Sequence, residues 1–413
     1  MKYIFDVFYD SAEKADIEYD HRFNLDSTIK SGLSFSFIDN PGRALPYFVY
    51  NGFTTKLMDD VRLNDGILIS LVESLPKISK KEFFLNLVVS EITNSAACEE
   101  ITLDSVAIYN SAREIIDSQS YNGDEYDDMI KGYYSIISMK DFSDLKIPTS
   151  AAEVREIYDD ILAPFIKKRN APDGKYFRTN DTYVKTKGYE NKPVDNIGTS
   201  GEENIIDEIE YILGFSEDDN MPLLLRVIIM MYHLIIIRPF YNGNQRLARY
   251  IASLKLREGY SCGTCLSLGR GTFAILNDFY ERSNITLSKV NMGELNSFVD
   301  NQLTAILMGQ KTLINYIKNR KSIIREAMKF FEKNEHINSD IKLEIMKLMV
   351  ENHCFNEYNQ GFLKERILDE IKMDASDDEI SLAFKELIED RLIIEFDDVE
   401  AYKIDFNYFK EMD

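Results

Sequence analysis

The longest apolar run of the chain, Leu223 to Ile237, most constrains its fold, because only Arg226 and His233 interrupt it. An element that is apolar on every face must be covered by other elements, so the run predicts a helix buried in an all-α bundle. It is shorter than the about 20 apolar residues that cross a bilayer. Pro239 disfavours helical geometry at Arg238, and we expect the helix to end there.

The composition indicates an ordered, multidomain protein. A length of 413 residues allows two or three domains, and 45% apolar residues with only 19 Gly and 9 Pro argue against disorder. The opening MKYIFDVFYDSAEK lacks the pattern of a signal peptide, which predicts a cytoplasmic protein. A net charge of −22 argues against broad contact with nucleic acid or an anionic membrane.

The spacing of apolar residues predicts a mainly α fold. Predicted helices cover Lys81 to Ala97, Asp104 to Asp117, Ala151 to Ile166, Glu202 to Leu213, Pro222 to Ile237, Arg246 to Glu258 and Asn296 to Phe331. One exception, Tyr176 to Val194, is rich in Tyr, Thr and Val and predicts a β-hairpin. GLSFSFID and LPYFVYN predict short strands near the start.

A polar stretch, Glu332 to Asp340, predicts a boundary before the C-terminal region. Beyond it, three helical patterns precede two β-like runs in RLIIEFDDVEAYKIDF, the order of a winged helix-turn-helix. From His336 onward the chain has 9 Lys/Arg against 21 Asp/Glu, a net of −12. Because such a surface repels phosphate, we expect a protein-contact or dimerisation module rather than a DNA reader.

Four cysteines do not make a disulfide framework in a chain of this length. Cys262 and Cys265 form a CxxC, but zinc would need two further ligands, and the other Cys and His residues are distant in sequence. We expect two half-buried thiols rather than a metal or redox site.

The segment after the apolar run is suited to an anion. YNGN, residues 241–244, tolerates tight or left-handed backbone, and a new helix is predicted near Gln245 or Arg246. The first N–H groups of a helix are unpaired and form a natural anion site. Arg246 and Arg249 lie one turn apart and could both reach that anion. An ordinary turn followed by a solvated helix face would fit the same residues.

RPFYNGNQRLAR, residues 238–249, resembles the Fic family signature HxFx(D/E)GNGRxxR. The resemblance implies a helical Fic core with a β-hairpin flap, which clamps a target's backbone as an added strand, and often a C-terminal winged helix. The implied domains are an N-terminal region with a candidate inhibitory helix, the Fic core and a winged helix: 1–103 (helix at about 81–100), 104–331 and 336–413.

Family members typically transfer AMP from ATP to a hydroxyl of a target protein. The motif histidine takes the hydroxyl proton, the acidic residue holds Mg²⁺, and the turn cradles the phosphates. The resemblance makes Phe240 the loop anchor and places the phosphate-binding residues at Gly243, Asn244, Gln245, Arg246 and Arg249, with Arg249 on the terminal phosphate.

Three positions depart from the signature. Arg238 replaces the histidine, and arginine stays protonated, so a base that typically contributes about 10²–10⁴-fold is missing. Asn242 replaces the acidic ligand, which weakens Mg²⁺ binding. Gln245 replaces the second glycine and adds a side chain within the predicted phosphate site. No catalytic residue is intact, and no metal site is predicted.

Many Fic proteins restrain themselves with (S/T)xxxE(G/N), whose glutamate pairs with the second motif arginine. SAACEE offers Ser95 and Glu99, with Glu100 in place of Gly or Asn. TSGEEN fits every letter, but Ser200 and Glu203 also form a capping box at a helix start, and the segment lies too close to the motif. We therefore assign the inhibitory residues to Ser95 and Glu99.

Three hypotheses follow. The favoured one is a pseudoenzyme that binds ATP, another nucleotide or another phosphate-bearing ligand. It would act by contacting other proteins, and it could also form a homodimer. The second is an active transferase that moves AMP or another phosphate-containing group onto a protein hydroxyl with a base supplied elsewhere. We expect His233 to be a satisfied core histidine rather than that base. The third, a winged-helix transcriptional regulator, is disfavoured by the acidic tail.

Overall fold

The fold is that of a computed structural model, which describes residues 1–40, 42–118, 125–139, 144–182, 198–358, 361–371, 375–396 and 401–405. Over these residues the protein is mainly helical, which confirms the predicted class. The α-helices are α1 (Ile4–Asp10), α2 (Ala12–Phe23), α3 (Gly52–Glu73), α4 (Lys77–Ala97), α5 (Ser105–Ser118), α6 (Asp127–Ser138), α7 (Ala151–Ile161), α8 (Glu202–Phe215), α9 (Leu223–Ile237), α10 (Asn244–Leu256), α11 (Cys262–Cys265), α12 (Leu268–Ala274), α13 (Leu276–Thr286), α14 (Asn296–Phe331), α15 (Asp340–Phe355), α16 (Lys364–Glu370) and α17 (Asp377–Glu389).

The strands are short and antiparallel. They are β1 (Ile29–Lys30), β2 (Phe35–Ser36), β3 (Arg43–Ala44), β4 (Tyr47–Phe48), β5 (Phe362–Leu363), β6 (Ile393–Glu395) and β7 (Ala401–Ile404). In the described residues, β1 pairs with β4, β2 pairs with β3, and the C-terminal sheet has the order β5-β7-β6. The short strands predicted near the start are therefore present, as β2 and β4.

The chain divides into two compact units. One comprises Met1–Leu68 and Val88–Thr312, and the other comprises Ile69–Leu87 and Leu313–Asp413. The unit boundaries at 68/69, 87/88 and 312/313 fall inside α3, α4 and α14. The turn after α9, with its predicted anion site, lies entirely in the first unit.

Helix α9 forms the centre of the first unit. Of its 15 residues, 13 are buried, and it packs against α8 and α10. Burial of a large aliphatic side chain stabilises a fold by about 1.5–3 kcal/mol, which explains why so apolar a helix is central. Its buried Arg226 is neutralised by Asp219 and Glu258, at 2.8 and 3.1 Å.

The end of α9 is held by a buried arginine from elsewhere in the chain. Arg238 is the C-cap, in the left-handed region at φ 53° and ψ 64°, and Pro239 prevents continuation. Arg178 donates from Nε to the carbonyl oxygen of Arg238 at 2.6 Å and from Nη2 to that of Ile237 at 3.3 Å. A guanidinium at the negative end of a helix satisfies carbonyls that would otherwise be unpaired.

Several local predictions require correction. The helix predicted over Ala151 to Ile166 ends at Ile161, because Pro164 follows, and a short 3₁₀ helix takes over at Ala163–Phe165. Helix α8 begins at Glu202 after the N-cap Gly201, which has φ 80°, and no side chain caps it. The capping box predicted from Ser200 and Glu203 is therefore wrong.

The hairpin predicted over Tyr176 to Val194 is only partly observable. Residues 176–182 contain no strand, and residues 183–194, the implied flap, lie outside the described residues. Among the described helices, none is long and apolar enough to cross a membrane.

The second unit contains the predicted C-terminal helices and strands. Ser376 and Glu379 form a capping box that starts α17. Helix α15 packs against α17 and β7, and Phe384 of α17 stacks at a tilt on Tyr402 of β7, with ring centroids 4.7 Å apart. Burial of Phe384 and Leu387 fixes α17 to this sheet, which leaves the acidic face of α17 exposed.

Candidate anion site at the turn between α9 and α10

The turn between α9 and α10 is fixed by stacking and by one asparagine. Phe240 is fully buried, with its ring stacked on Tyr158 at 3.6 Å and edge-on to Phe177 at 5.4 Å. Asn244 accepts from the N–H of Phe240 at 3.0 Å and donates to the carbonyl of Phe240 at 2.8 Å. The side chain of Asn244 therefore closes the turn and supports its geometry.

Gly243 starts α10 from a conformation that favours glycine. It is the N-cap at φ 82°, and a Cβ there would lie 3.4 Å from Nη2 of Arg246. The guanidinium of Arg246 thus lies over the turn. The first N–H groups of α10 open toward the same space, and the helix dipole favours a negative charge there.

The carboxylate of a residue that is distant in sequence occupies the space at the N-terminus of α10. Glu99 follows α4 and accepts from the backbone N–H of Arg246 at 2.8 Å through Oε1 and from Nε of Arg246 at 3.1 Å through Oε2. Nη2 of Arg249 lies 3.9 Å from Oε1. We call the space bounded by the N–H of Arg246 and these two guanidinium groups the anion seat. Glu99 fills it.

Arg249 is held by Ser95, the other inhibitory residue that was predicted from the sequence. Its Nε donates to Oγ of Ser95 at 2.9 Å, and its Nη2 donates to the carbonyl of Ser95 at 2.7 Å. Arg249 is only 2% exposed. Of the two arginines, Arg246 therefore makes the direct hydrogen bonds to Glu99, whereas the hydrogen bonds of Arg249 are to Ser95.

The end of α4 is shaped so that Glu99 can reach α10. The N–H of Ile101 bonds to the carbonyl of Ala96 at 3.1 Å and that of Glu100 to Ala97 at 3.0 Å, which is a Schellman ending. Glu100 is left-handed at φ 59°, a conformation that favours Gly or Asn. The inhibitory pattern has Gly or Asn at this same position, which gives the pattern a physical basis.

Arg238 lies at the opposite end of the turn. It is partly exposed, but its Nε is buried and has no hydrogen-bond partner among the described residues. Burial and the neighbouring Arg178 lower the pKa of Arg238 to about 10, and the nearby Glu99 acts in the other direction. The side chain remains cationic at neutral pH, so it cannot accept a proton.

Three buried polar atoms around the turn lack partners among the described residues. They are Nε of Arg238, Oε1 of Gln245 and Nη2 of Arg246. Buried polar atoms are almost always satisfied, and exceptions concentrate where a ligand or water binds.

The turn does not offer a donor set for Mg²⁺. Asn242 supplies a neutral amide where a hard cation prefers carboxylates. No group of three or more His, Cys, Asp or Glu side chains that could hold a metal occurs in the described part of the chain.

The other candidates from the sequence lie away from the anion seat. Glu203 is exposed in the first turn of α8. His233 is fully buried, as predicted, but neither ring nitrogen has a partner among the described residues, and burial lowers its pKa to about 3. A satisfied histidine was therefore the wrong expectation. Cys262 is partly exposed and Cys265 is buried, and burial raises the pKa of both free thiols.

Glu91 is a site-supporting residue that the sequence analysis missed. It lies on α4, one turn before Ser95, and accepts from the N–H of Gly269 at 2.7 Å. A Cβ at position 269 would lie 2.8 Å from the N of Ser95, so only glycine lets α12 approach α4 this closely. Burial raises the pKa of Glu91 to about 7, and its Oε2 has no partner among the described residues.

Sequence comparison identifies the segment that carries the turn. A model of the Fic/DOC family matches residues 148–256, from just before α7 to the last residue of α10. Over this segment the chain is similar to Fic/DOC family proteins. Helix α4, with Glu91, Ser95 and Glu99, lies outside the match. No curated protein sequence matches the chain.

Solved structures show related but distant resemblances. A Fic family protein from Desulfovibrio desulfuricans G20 has 13% identity and a TM-score of 0.48, covering 87% of this chain and 98% of that one. Fic-1 (aa134–508) from C. elegans has 16% identity and a TM-score of 0.42, covering 64% and 74%. A Fic domain containing signaling protein from Bacteroides thetaiotaomicron VPI-5482 has 16% identity and a TM-score of 0.42, covering 63% and 97%. The similarity to the family is therefore stated for residues 148–256 alone.

Replacing Glu100 by glycine should stabilise the protein. Glycine adopts the left-handed conformation without the steric cost of a Cβ, so Glu100→Gly should raise the free energy of unfolding by about 0.5–1 kcal/mol. Glu100→Ala keeps the Cβ and should give no such gain. Urea unfolding followed by circular dichroism measures both. A loss of stability in Glu100→Gly would contradict the assigned ending of α4.

Glu91 should make stability depend on pH. Its folded pKa of about 7 exceeds the ordinary value of 4.5, so its contribution is fully present below pH 4.5 and is lost as pH rises through 7. Glu91→Gln mimics the protonated form. Between pH 5 and pH 8 the wild type should lose about 1–3 kcal/mol more free energy of unfolding than this variant does.

The control is Glu156→Gln, which changes an exposed carboxyl on α7 and should retain the wild-type pH dependence. Parallel pH profiles for wild type and Glu91→Gln would contradict the assignment of a buried titrating group at position 91.

Proposed function

We propose that this protein is a Fic pseudoenzyme: it binds a nucleotide or another phosphate-bearing ligand at the anion seat, has lost AMP transfer, and acts through protein contacts. The observation that carries the proposal is the retained anion seat, in which Arg246 supplies both a backbone N–H and a guanidinium to one carboxylate. A seat that holds a carboxylate by charge-assisted hydrogen bonds can hold a phosphate by the same donors.

Glu99 is proposed as the built-in competitor for that ligand. Its carboxylate takes the N–H of Arg246 that a phosphate would take, so ligand affinity is reduced while it stays seated. Ser95 contributes by holding Arg249 against α4. In this proposal α4 restrains the site, as the inhibitory helix does in the family that the sequence resembles.

The absence of AMP transfer follows from the groups present at the turn. Transfer to a hydroxyl needs a base within hydrogen-bond reach of the attacking group. With a pKa of about 10, Arg238 remains protonated at pH 7. The buried imidazole of His233 lies inside α9 and is fully inaccessible. Neither side chain meets the requirement.

The C-terminal region is proposed to be a winged-helix module that contacts protein. Helix α17 and the sheet β5-β7-β6 have the composition and order that the sequence suggested for such a module. Three acidic residues begin α17, namely Asp377, Asp378 and Glu379, which disfavours a nucleic-acid backbone as partner. A protein surface or a second copy of the chain suits this charge better.

Removing the seated carboxylate should strengthen nucleotide binding. Glu99→Gly vacates the anion seat, and ATP should then raise the melting temperature by at least about 2 °C more than it does for wild type. Thermal unfolding with and without ATP measures the difference. The double variant Glu99→Gly/Arg246→Gln should lose the gain, because the guanidinium that receives the phosphate is gone.

Glu203→Gly is the matched control, since it makes the same substitution in the other segment that fits the inhibitory pattern. It should leave the ATP-induced shift at the wild-type value. Incubation of wild type and Glu99→Gly with labelled ATP and a cell lysate should give no labelled protein. Strong labelling, of the protein itself or of a target, would overturn the pseudoenzyme proposal.

A further inference from the structure

The peptide bond that joins Cys98 to Glu99 is held at both ends. The N–H of Glu99 donates to the carbonyl of Ala96 at 2.9 Å, and the carbonyl of Cys98 accepts from the hydroxyl of Tyr280 at 2.5 Å. Tyr280 lies on α13, 182 positions along the chain from Cys98. Because a peptide unit is planar, holding its nitrogen and its oxygen restricts the position of the Cα from which the Glu99 side chain starts.

The carbonyl of Cys98 needs a donor from outside α4. It is among the last carbonyls at the C-terminal end of the helix, which have no partner within the helix. The two Schellman bonds at this end go to the carbonyls of Ala96 and Ala97 instead. Cys98 is fully buried, so water cannot readily take the place of the tyrosine hydroxyl. Loss of the donor would leave a buried carbonyl unpaired, which is costly.

The surroundings of Tyr280 place its hydroxyl close to the groups that form the anion seat. Burial raises the pKa of Tyr280, so the hydroxyl stays protonated and donates at neutral pH. The charge of Arg249 opposes this shift, whereas those of Glu99 and Glu100 reinforce it. The hydroxyl therefore lies where the end of α4 meets α10 and α13.

Tyr280 and Arg246 hold different parts of Glu99. The carboxylate of Glu99 accepts from Arg246, whereas Tyr280 binds the backbone immediately before Glu99. The ring of Tyr280 is only half-buried and lines a cavity of about 370 Å³. Its hydroxyl, rather than close packing of its ring, is thus the group through which it acts on α4.

We propose that Tyr280 is a positioning residue that keeps Glu99 in the anion seat by holding the carbonyl of Cys98. This inference rests on the proposed function, in which Glu99 competes with a phosphate-bearing ligand, and it names a residue that sets the strength of that competition. Without this hydrogen bond the end of α4 has more freedom, Glu99 spends less time in the seat, and a nucleotide competes more easily. If Tyr280 only packs, its loss lowers stability without any dependence on Glu99.

The first test is isothermal titration calorimetry of the full chain with ATP. Tyr280→Phe keeps the ring and removes the hydroxyl, so it should bind ATP about two- to tenfold more tightly than wild type, the range expected for loss of one hydrogen bond. In the Glu99→Gly background the same substitution should leave the ATP affinity unchanged, because no carboxylate remains to be positioned. Tyr280→Met, which also lacks a donor, is the second variant in case Tyr280→Phe folds poorly.

Tyr9→Phe is the matched control. It removes the hydroxyl of an exposed tyrosine of α1 that lines the same cavity, and it should bind ATP with wild-type affinity.

Amide hydrogen exchange, followed by NMR, gives a readout that does not depend on ATP. The N–H of Arg246 donates to the seated carboxylate, so in Tyr280→Phe it should exchange faster by the same factor of about two to ten. The N–H of Ile251, in the interior of α10, should exchange at the wild-type rate. General destabilisation would accelerate both.

Three results would contradict this inference. Unchanged exchange of the Arg246 N–H in Tyr280→Phe would mean that Tyr280 does not hold Glu99 in place. Unchanged ATP affinity in Tyr280→Phe, with tighter binding in Glu99→Gly, would leave the proposed function standing and remove Tyr280 from it. An equal gain of affinity in the Glu99→Gly background would show that Tyr280 acts by another route. If Glu99→Gly does not bind ATP more tightly than wild type, the proposed function fails, and the exchange of the Arg246 N–H still decides the role of Tyr280.

Discussion

The candidate site depends on one carboxylate at the start of one helix. Glu99 meets the positive end of the α10 dipole and the guanidinium of Arg246 at the same time, so two favourable electrostatic terms coincide. Arg246 and Arg249 are 3% and 2% exposed, and burial of such charges is costly unless they are paired. The contacts with Glu99 therefore make the burial of these two charges tolerable.

The residues that fix the turn are distinct from the residue at the position where the resemblance implies a base. Phe240 and Asn244 fix the backbone of the turn by ring stacking and by a hydrogen bond. Tyr158 supports the same turn, because its ring stacks on Phe240 and its hydroxyl donates to the carbonyl of Asn242. None of these contacts requires a reaction at the turn. Proton transfer makes a separate demand on position 238, and Arg238 does not meet it. The geometry of the turn and general-base chemistry thus depend on different side chains, which is why the proposed function separates ligand binding from AMP transfer.

Much of this arrangement could be predicted because it follows from local rules. Apolar residues on every face of α9 required burial, and Pro239 required the helix to end. The partner of the motif arginines, in contrast, was suggested by the resemblance of the segment with Ser95 and Glu99 to the inhibitory pattern. Arg178 could not be predicted, because it lies 60 positions from the carbonyl of Arg238 that it caps, and such a contact leaves no periodic signal. Glu91 could have been predicted in principle, because it lies four residues before Ser95, which places both side chains on one face of α4.

The most direct test of the central claim is a double-mutant cycle between Glu99 and Arg246. Free energies of unfolding for wild type, Glu99→Gln, Arg246→Gln and the double variant give the coupling between the two side chains. If the carboxylate of Glu99 binds Arg246 as described, the coupling should be favourable by about 1–3 kcal/mol, as expected for a part-buried, charge-assisted hydrogen bond. A coupling within about 0.3 kcal/mol of zero would mean that the two side chains act independently, and would contradict this description.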